Sequence, residues 1–484
     1  MKIKAQIVKI HRWFGLAMCV FFVTWFLSGF VMLYVDFPQF GTHDRLLQNS
    51  PLDIKAAHFS PSALTRLLPV DTAWKSIRMS LFLNRAVYRL EEIDGDIHTY
   101  YTDGSLFPRE IAQSDAEAVA VNYLHHHYRP LLTEKITELD QWIPRSFYLI
   151  HMPVYRITMD DPAQTMVYVS SKTGEIIQAH NRRDRFLAWC GPIIHWIYPK
   201  ELIIRRPLWK CVVIFLSCLG IAGSLSGMII GFIRVTKRNK VYISPYTKRW
   251  FRWHHYTGFV FGFFTFTWVF SGLLTMSPFG WSPDAALSDK EYQKIQGGNL
   301  TLKSFAQPIG AAFSKIDFKP VEIELKHFNG VNYYIAYAVN GKTRIVQAEG
   351  KDRPLEYSFP AQIITAAMGR LTGNMAPSAL NFIYQEDNYY YSKHNDSKLP
   401  VLRIEYDDPD KTWYYINPSS GAVVLKNTHS RRINRWLHHG LHSLDFFNFQ
   451  HHRPLWDILI VLLLAGGTGV SITGLIMALK RISR

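Results

Sequence analysis

Four stretches, Trp13–Val35, Cys211–Ile233, Tyr256–Pro283 and Ile458–Leu479, contain no Asp, Glu, Lys or Arg. Each exceeds the roughly 18–20 apolar residues that a helix needs to cross a bilayer. Such runs leave a chain few choices, because backbone in lipid must satisfy its own polar groups and a helix does so within itself. The sequence therefore predicts a four-helix transmembrane bundle with long polar segments between the spans. The first run reads as an uncleaved anchor. Its apolar core is longer than that of a signal peptide, and no small-x-small site follows it.

Lys and Arg exceed Asp and Glu by 16. Much of that excess flanks the apolar runs. Lys2, Lys4, Lys9 and Arg12 precede the first; Arg234, Lys237, Arg238, Lys240, Lys248, Arg249 and Arg252 fill the link between the second and third; Lys480, Arg481 and Arg484 follow the fourth. All three segments fall on one side of a four-span topology, which the positive-inside rule makes cytoplasmic. Arg182, Arg183, Arg205, Arg206, Arg431, Arg432 and Arg453 lie on the other side, so the separation is incomplete. The positive charge thus points to membrane lipid rather than to nucleic acid. Of the four cysteines only Cys190 lies on the outer side, which excludes a disulfide framework, and no C-x-x-C-H is present for covalent haem.

The chain also repeats itself. Thr24–Gly29 (TWFLSG) returns as Thr267–Gly272 (TWVFSG), an offset of 243 that also places His11 on His254 and Gly15 on Gly258. Val154–Pro162 (VYRITMDDP) returns as Val401–Pro409 (VLRIEYDDP), an offset of 247 that pairs Gly174 with Gly421, Trp189 with Trp436, Arg206–Trp209 with Arg453–Trp456, and Gly227 with Gly474. One unit is written twice: helix, outer domain, helix. The β-branched and aromatic runs around Gly-containing turns read as strands, and Ser114–His127 reads as a capped helix, so each outer domain is expected to be α+β. The expected organisation is helix 1 with its cytoplasmic N-terminus over 1–35, an outer domain over 36–207, helix 2 over 208–234 and a basic cytoplasmic loop over 235–253. Helix 3 over 254–277, a second outer domain over 278–453, and helix 4 with a cytoplasmic C-terminus over 454–484 complete it.

Arg435–Trp456 (RWLHHGLHSLDFFNFQHHRPLW) carries five histidines into the last span. Only His442 has a counterpart, His195, each six residues after its Trp; His438, His439, His451 and His452 have none. Two histidine pairs therefore survive the repeat, His11 with His254 at the cytoplasmic entrance and His195 with His442 on the outer side. A pseudo-two-fold axis along the membrane normal would set each pair face to face, the arrangement of bis-histidine haem in a helix bundle. A histidine at the end of a membrane helix is usually just interfacial, but here both columns persist where neighbouring Tyr, Arg and Trp have drifted. His255 competes with His254, and His438, one turn from His442, competes with it. Trp25 and Trp268 occupy equivalent mid-membrane positions as core filling or as a bridge between sites. The small-residue runs Ser224–Gly227 and Gly466–Gly469 indicate close helix packing, with no dinucleotide loop. His125–His127 and Tyr389–Tyr391 with His394 are surface clusters with ligand chemistry for ferric iron, although neither repeats.

The motifs HRWFGL, RWFRWHHYTGF followed by TWVFSG, and WLHHGLHSLDF before RPLWDILIVLLL resemble the PepSY-associated transmembrane family, and the D-P hairpins resemble its extracytoplasmic PepSY domains. The resemblance spans nearly the whole chain. It implies a bacterial inner-membrane protein similar to reductases of ferric iron or ferric siderophores with two b-type haems, His11, His195, His254 and His442 being the haem ligands. Electrons would pass from a quinol or a cytoplasmic reductase to periplasmic ferric iron, free or chelated, for delivery to a ferrous iron transporter. No covalent catalytic residue is required. The rival expectation is a non-enzymatic anchor whose PepSY modules bind peptides or restrain proteases. A transporter would want mid-membrane charge, and the runs carry none.

Overall fold

The computed structural model describes residues 2–482 apart from 55–59, 69–71, 94, 239–240, 282–285, 351–353, 393–396 and 448. Four helices are long and apolar enough to cross a membrane: α1 (Lys2–Met32), α2 (Arg206–Arg234), α3 (Arg249–Thr275) and α4 (Leu455–Ile482). All four run beyond their uncharged stretches into basic turns, which lets the charged ends reach out of the apolar layer. Each helix packs on two neighbours, in the ring α1–α2–α3–α4. The first helices of the two halves, α1 and α3, therefore stand on one diagonal and α2 and α4 on the other.

Glycine sets how closely the ring closes. A Cβ on Gly466 would lie 2.3 Å from the Phe261 ring, and one on Gly467 would lie 2.4 Å from Phe26. The glycine pair on α4 thus receives one phenyl ring from α3 and one from α1, the small-residue packing that lipid favours because apolar surface alone gives no drive to associate there. Hydroxyls within the spans are satisfied inside their own helices. Thr24 and Thr267 donate to the carbonyls of Phe21 and Phe264, both at 3.0 Å.

Among the described residues the polar segments between the spans build three large antiparallel sheets and one two-stranded hairpin. Strands β1 (Trp74–Phe82), β2 (Arg85–Glu92) and β3 (Ile97–Tyr101), then β4 (Pro130–Ile136), β5 (Val154–Met159), β6 (Met166–Ser170) and β7 (Ile176–His180), come from the first half. A short hairpin, β8 (Thr236–Arg238) and β9 (Val241–Ile243), lies in the basic link. The second half supplies β10 (Glu322–Phe328), β11 (Val331–Tyr337), β12 (Thr343–Gln347), β13 (Ala379–Ile383), β14 (Val401–Glu405), β15 (Trp413–Asn417) and β16 (Ala422–Asn427). Two four-stranded sheets, β4-β5-β6-β7 and β13-β14-β15-β16, share one plan. In each the D-D-P turn is closed by an aspartate, Asp161 accepting from Thr165 and Asp408 from Thr412.

The six-stranded sheet, β12-β11-β10-β1-β2-β3, is a feature the repeat alone did not reveal. It joins the halves through β1 and β10, with Ile77 opposite Leu325, Arg78 opposite Glu324 and Met79 opposite Ile323. Strand alternation sorts its faces. Ile77, Met79, Tyr88 and Leu90 enter one core with Phe305 and Phe313; Phe82 and Val87 enter another with Ile157 and Val169 of the first four-stranded sheet. Gly174 and Gly421, with φ of +65° and +66°, turn the four-stranded sheets directly against Phe82 and Phe328 of the central one. The helix expected over Ser114–His127 runs from Gln113 to Tyr123, because His125 and His126 take positive φ and end it.

Arginine and glutamate lock the junction. Arg45 grips Glu322 with two bonds of 2.9 Å, Arg78 grips Glu175 at 2.8 and 3.1 Å and reaches Glu322 at 3.2 Å, and Arg89 lies 3.7 Å from Glu175. Burial pushes the Glu175 carboxyl up, but Arg78 and Arg89 outweigh it and hold the group well below the usual carboxylate range. A carboxyl held lower in the folded state contributes stability above its unfolded pKa and loses it as pH falls through the folded value. Thermal unfolding of the detergent-purified protein should therefore weaken progressively below the ordinary carboxylate range, and less steeply in Glu175→Gln. Glu322→Leu leaves Arg45 without its carboxylate and Arg78 with Glu175 alone, and should cost about 3–5 kcal/mol; an unshifted melting temperature would show that strand pairing alone holds the halves.

Candidate functional site

Two histidine pairs lie at opposite ends of the bundle. His11 on α1 and His254 on α3 project inward along a diagonal, with ring centres 6.1 Å apart. His195 and His442 come from the segments that lead into α2 and α4, with ring centres 6.0 Å apart and planes at 88°. Both of those segments carry a π-helical turn, Trp189–Ile193 and Trp436–Gly440, packed on α1 and α3 respectively. Each is followed by a residue forced to positive φ, Ile197 at +53° and Leu444 at +52°. Strain of this sort in a non-glycine residue persists only where surrounding contacts impose it. Here it reverses the chain just after each histidine and holds the imidazole over the end of the bundle.

All four rings are anchored through the same nitrogen. Nδ1 of His11 meets the Gly223 carbonyl at 3.0 Å, and Nδ1 of His254 meets the Val470 carbonyl at 3.1 Å and Thr473 Oγ1 at 3.0 Å. Nδ1 of His195 meets the Trp25 carbonyl at 3.2 Å and Ser28 Oγ at 3.1 Å, and Nδ1 of His442 meets Ser271 Oγ at 2.9 Å. A carbonyl oxygen only accepts, so Nδ1 carries the proton and Nε2 keeps its lone pair. Among the described residues, no Nε2 of the four makes a hydrogen bond. Burial pushes the His195 imidazole down to about 4 and that of His442 to about 3, so both are neutral near pH 7.

These features suit a haem iron held between two imidazoles. Two metal–nitrogen bonds of about 2.0 Å, with each ring centre about 1.1 Å behind its nitrogen, put the centres about 6.2 Å apart. The Nδ1–H acceptors are what a ligating histidine needs to fix its tautomer. Room exists as well. A Cβ built on Gly15 or Gly258, one turn beyond His11 and His254, meets nothing within 4 Å, whereas on Gly227 it would lie 2.7 Å from the His11 ring and on Gly474 3.4 Å from the His254 ring. The glycine at 227 admits the His11 imidazole, and the positions of Gly15 and Gly258 are unobstructed at the Cβ. Among the described residues no group of three or more His, Cys, Asp or Glu is placed to hold a bare metal ion.

The competing histidines are placed differently. His255 turns away and donates Nε2–H to the Gly231 carbonyl at 3.0 Å, beside Tyr246. His438 flanks His442, ring centres 5.4 Å apart, and stacks near His439 at 4.7 Å instead of facing His195. Trp268 is buried against Phe26 at 5.6 Å, and Trp25 packs on Phe22 at 6.1 Å. Tyr389, Tyr390 and Tyr391 are spent on packing with Trp413, Tyr415 and His439, and His394 lies outside the described residues. His125, His126 and His127 are exposed in the turn that ends their helix. Ser28, Ser271 and Thr473, which the sequence reading did not single out, touch the histidines; the repeated T-W-x-x-S-G letters carried the only signal for the first two.

No curated protein matches the chain. The family model described as the PepSY-associated TM region matches residues 8–481, nearly the entire length. With its four apolar helices, its α+β sheets and that match, the chain is a membrane protein of the PepSY-associated TM family.

Proposed function

We propose that this protein holds two b-type haems and passes electrons across a bacterial inner membrane to ferric iron or a ferric siderophore on the periplasmic side, in aid of iron uptake. The observation that supports this most directly is the pair of facing imidazole couples, one at each end of a single bundle, each with the spacing and the free Nε2 lone pairs that an iron between them requires. When bound, haem supplies a one-electron carrier at each end of the span. His11 and His254 would hold one group, and His195 and His442 the other. Held between two imidazoles, such a group would suit electron transfer over oxygen binding. Trp25, Phe26 and Trp268 fill the apolar space between the couples and keep water out of it.

In this reading the basic link and both termini face the cytoplasm, where a quinol or a cytoplasmic reductase delivers electrons, and the three-sheet body stands in the periplasm. Reduction weakens the ferric chelate, and a ferrous iron transporter takes up the product. The protein supplies position and electrostatics, and the chemistry belongs to the cofactor. A second reading rests on β4 and β13, edge strands that leave Leu131, Leu132, Leu380 and Phe382 exposed. An unpaired edge of that kind accepts an extended peptide, as a peptide-binding or protease-regulating anchor would.

The first test is the oxidised and dithionite-reduced spectrum of detergent-purified protein, expressed with ample haem. A low-spin b-type spectrum at about two haems per chain is expected for bis-histidine sites. His11→Ala and His254→Ala should each remove the same half of the signal, and His195→Ala and His442→Ala the other half, while His255→Ala leaves both. The reduced protein should be reoxidised by ferric chelates. A colourless protein would sink the redox reading and favour the peptide-binding one. Gly15→Leu, which adds a bulky side chain one turn from His11, should cost the first half of the signal only.

A further inference from the structure

The serine of the repeated T-W-x-x-S-G stretch stands behind His195 and His442 alike. Ser28 and Ser271 are almost completely buried, at 1% and 0% exposure. Each donates its hydroxyl proton to the carbonyl three residues back, Ser28 to Trp25 and Ser271 to Trp268, both at 3.0 Å. That bond alone is ordinary for a hydroxyl in an apolar helix. Thr24 and Thr267 make the same bond in the same stretch and touch no histidine. Ser28 and Ser271 differ in what their remaining lone pair faces, which is Nδ1 of His195 at 3.1 Å and Nδ1 of His442 at 2.9 Å. With the hydroxyl proton already committed, the oxygen acts only as an acceptor. A hydroxyl that donates to a carbonyl is also polarised and accepts more strongly.

The other end of the bundle is built differently. Among the described residues His11 rests on the Gly223 carbonyl alone, and Ser226, the nearest hydroxyl in the repeat, gives its proton to that same carbonyl at 2.9 Å without reaching the ring. Of this couple only His254 has a hydroxyl among the described residues, from Thr473. The outer couple is therefore flanked by serine on both sides and the inner couple by threonine on one.

The geometry points to Ser28 and Ser271 as paired positioning residues that set the redox potential of a haem held by His195 and His442. This rests on the two-haem reading. An acceptor at Nδ1–H pushes electron density toward Nε2 and favours the ferric iron, so each serine lowers the potential of that site. The inner site is untouched by either.

The test is a spectroelectrochemical titration of the full-length protein in detergent, the two waves assigned with His195→Ala and His11→Ala. Ser28→Ala and Ser271→Ala should each raise the ferrous fraction of the outer site several-fold at a fixed potential, a tenfold rise corresponding to about 59 mV for one electron. The double variant should raise it further and leave the inner wave unmoved. Ser28→Thr and Ser271→Thr keep the hydroxyl and should restore the original outer wave. Thr473→Val should move the inner wave alone. An outer wave unchanged in both alanine variants overturns the proposal. If an alanine variant loses the outer haem, recovery in the threonine variant supports it and continued loss overturns it. A wild-type protein without haem removes the two-haem reading and this inference together, which the wild-type spectrum alone reveals.

Discussion

An imidazole that is to ligate from within an apolar bundle must have one nitrogen paired with protein and the other left bare. In this chain four histidines meet that condition in the same way, through Nδ1 against carbonyl and hydroxyl oxygens of the membrane helices. Much of the bundle follows from it. Helices α1 and α3 must stand on a diagonal for His11 to face His254, and the chain must reverse at Ile197 and Leu444 for His195 to face His442. Glycine must occupy 227, where a Cβ would lie 2.7 Å from the His11 ring.

The carbonyls that receive these protons are ordinary helix carbonyls at Gly223, Val470 and Trp25, so the anchoring needs no charge in the membrane region. That matters energetically, because an unpaired charge at membrane depth is expensive, and the apolar runs contain none. Charge is concentrated instead where the halves meet in the sheets, as the Arg45–Glu322 and Arg78–Glu175 pairs. A buried cluster of that type contributes little net stability when intact but is costly to break. It ties the orientation of one half to the other, and with it the position of the segments that carry His195 and His442.

Reading the sequence went far for the membrane part, and for a physical reason. Uncharged length, the letters that repeat and the pairing of histidines across the repeat are all one-dimensional properties. Four spans, two histidine columns and the strand–turn–strand pattern around the D-D-P turns were therefore legible. The choice between His254 and His255 was only half legible, since adjacent residues on a helix differ by a rotation that depends on where the neighbours stand. Ser28 and Ser271 carried a repeat signal without a role, because a serine's partner is a matter of distance. The six-stranded sheet was not legible, since β1 and β10 come from segments some two hundred and fifty residues apart and their alternation says only that each has a buried face.

The sequence by itself determined that the chain carries four runs long enough to span a membrane and which motifs and histidines recur along it, because bilayer thickness and helical rise convert composition directly into span length. Tertiary structure alone decided which rings face each other, which nitrogen is left bare and how the halves are joined. Those outcomes depend on helix rotation, strained turns at Ile197 and Leu444, and cross-half strand pairing, all of which arise only when distant segments pack.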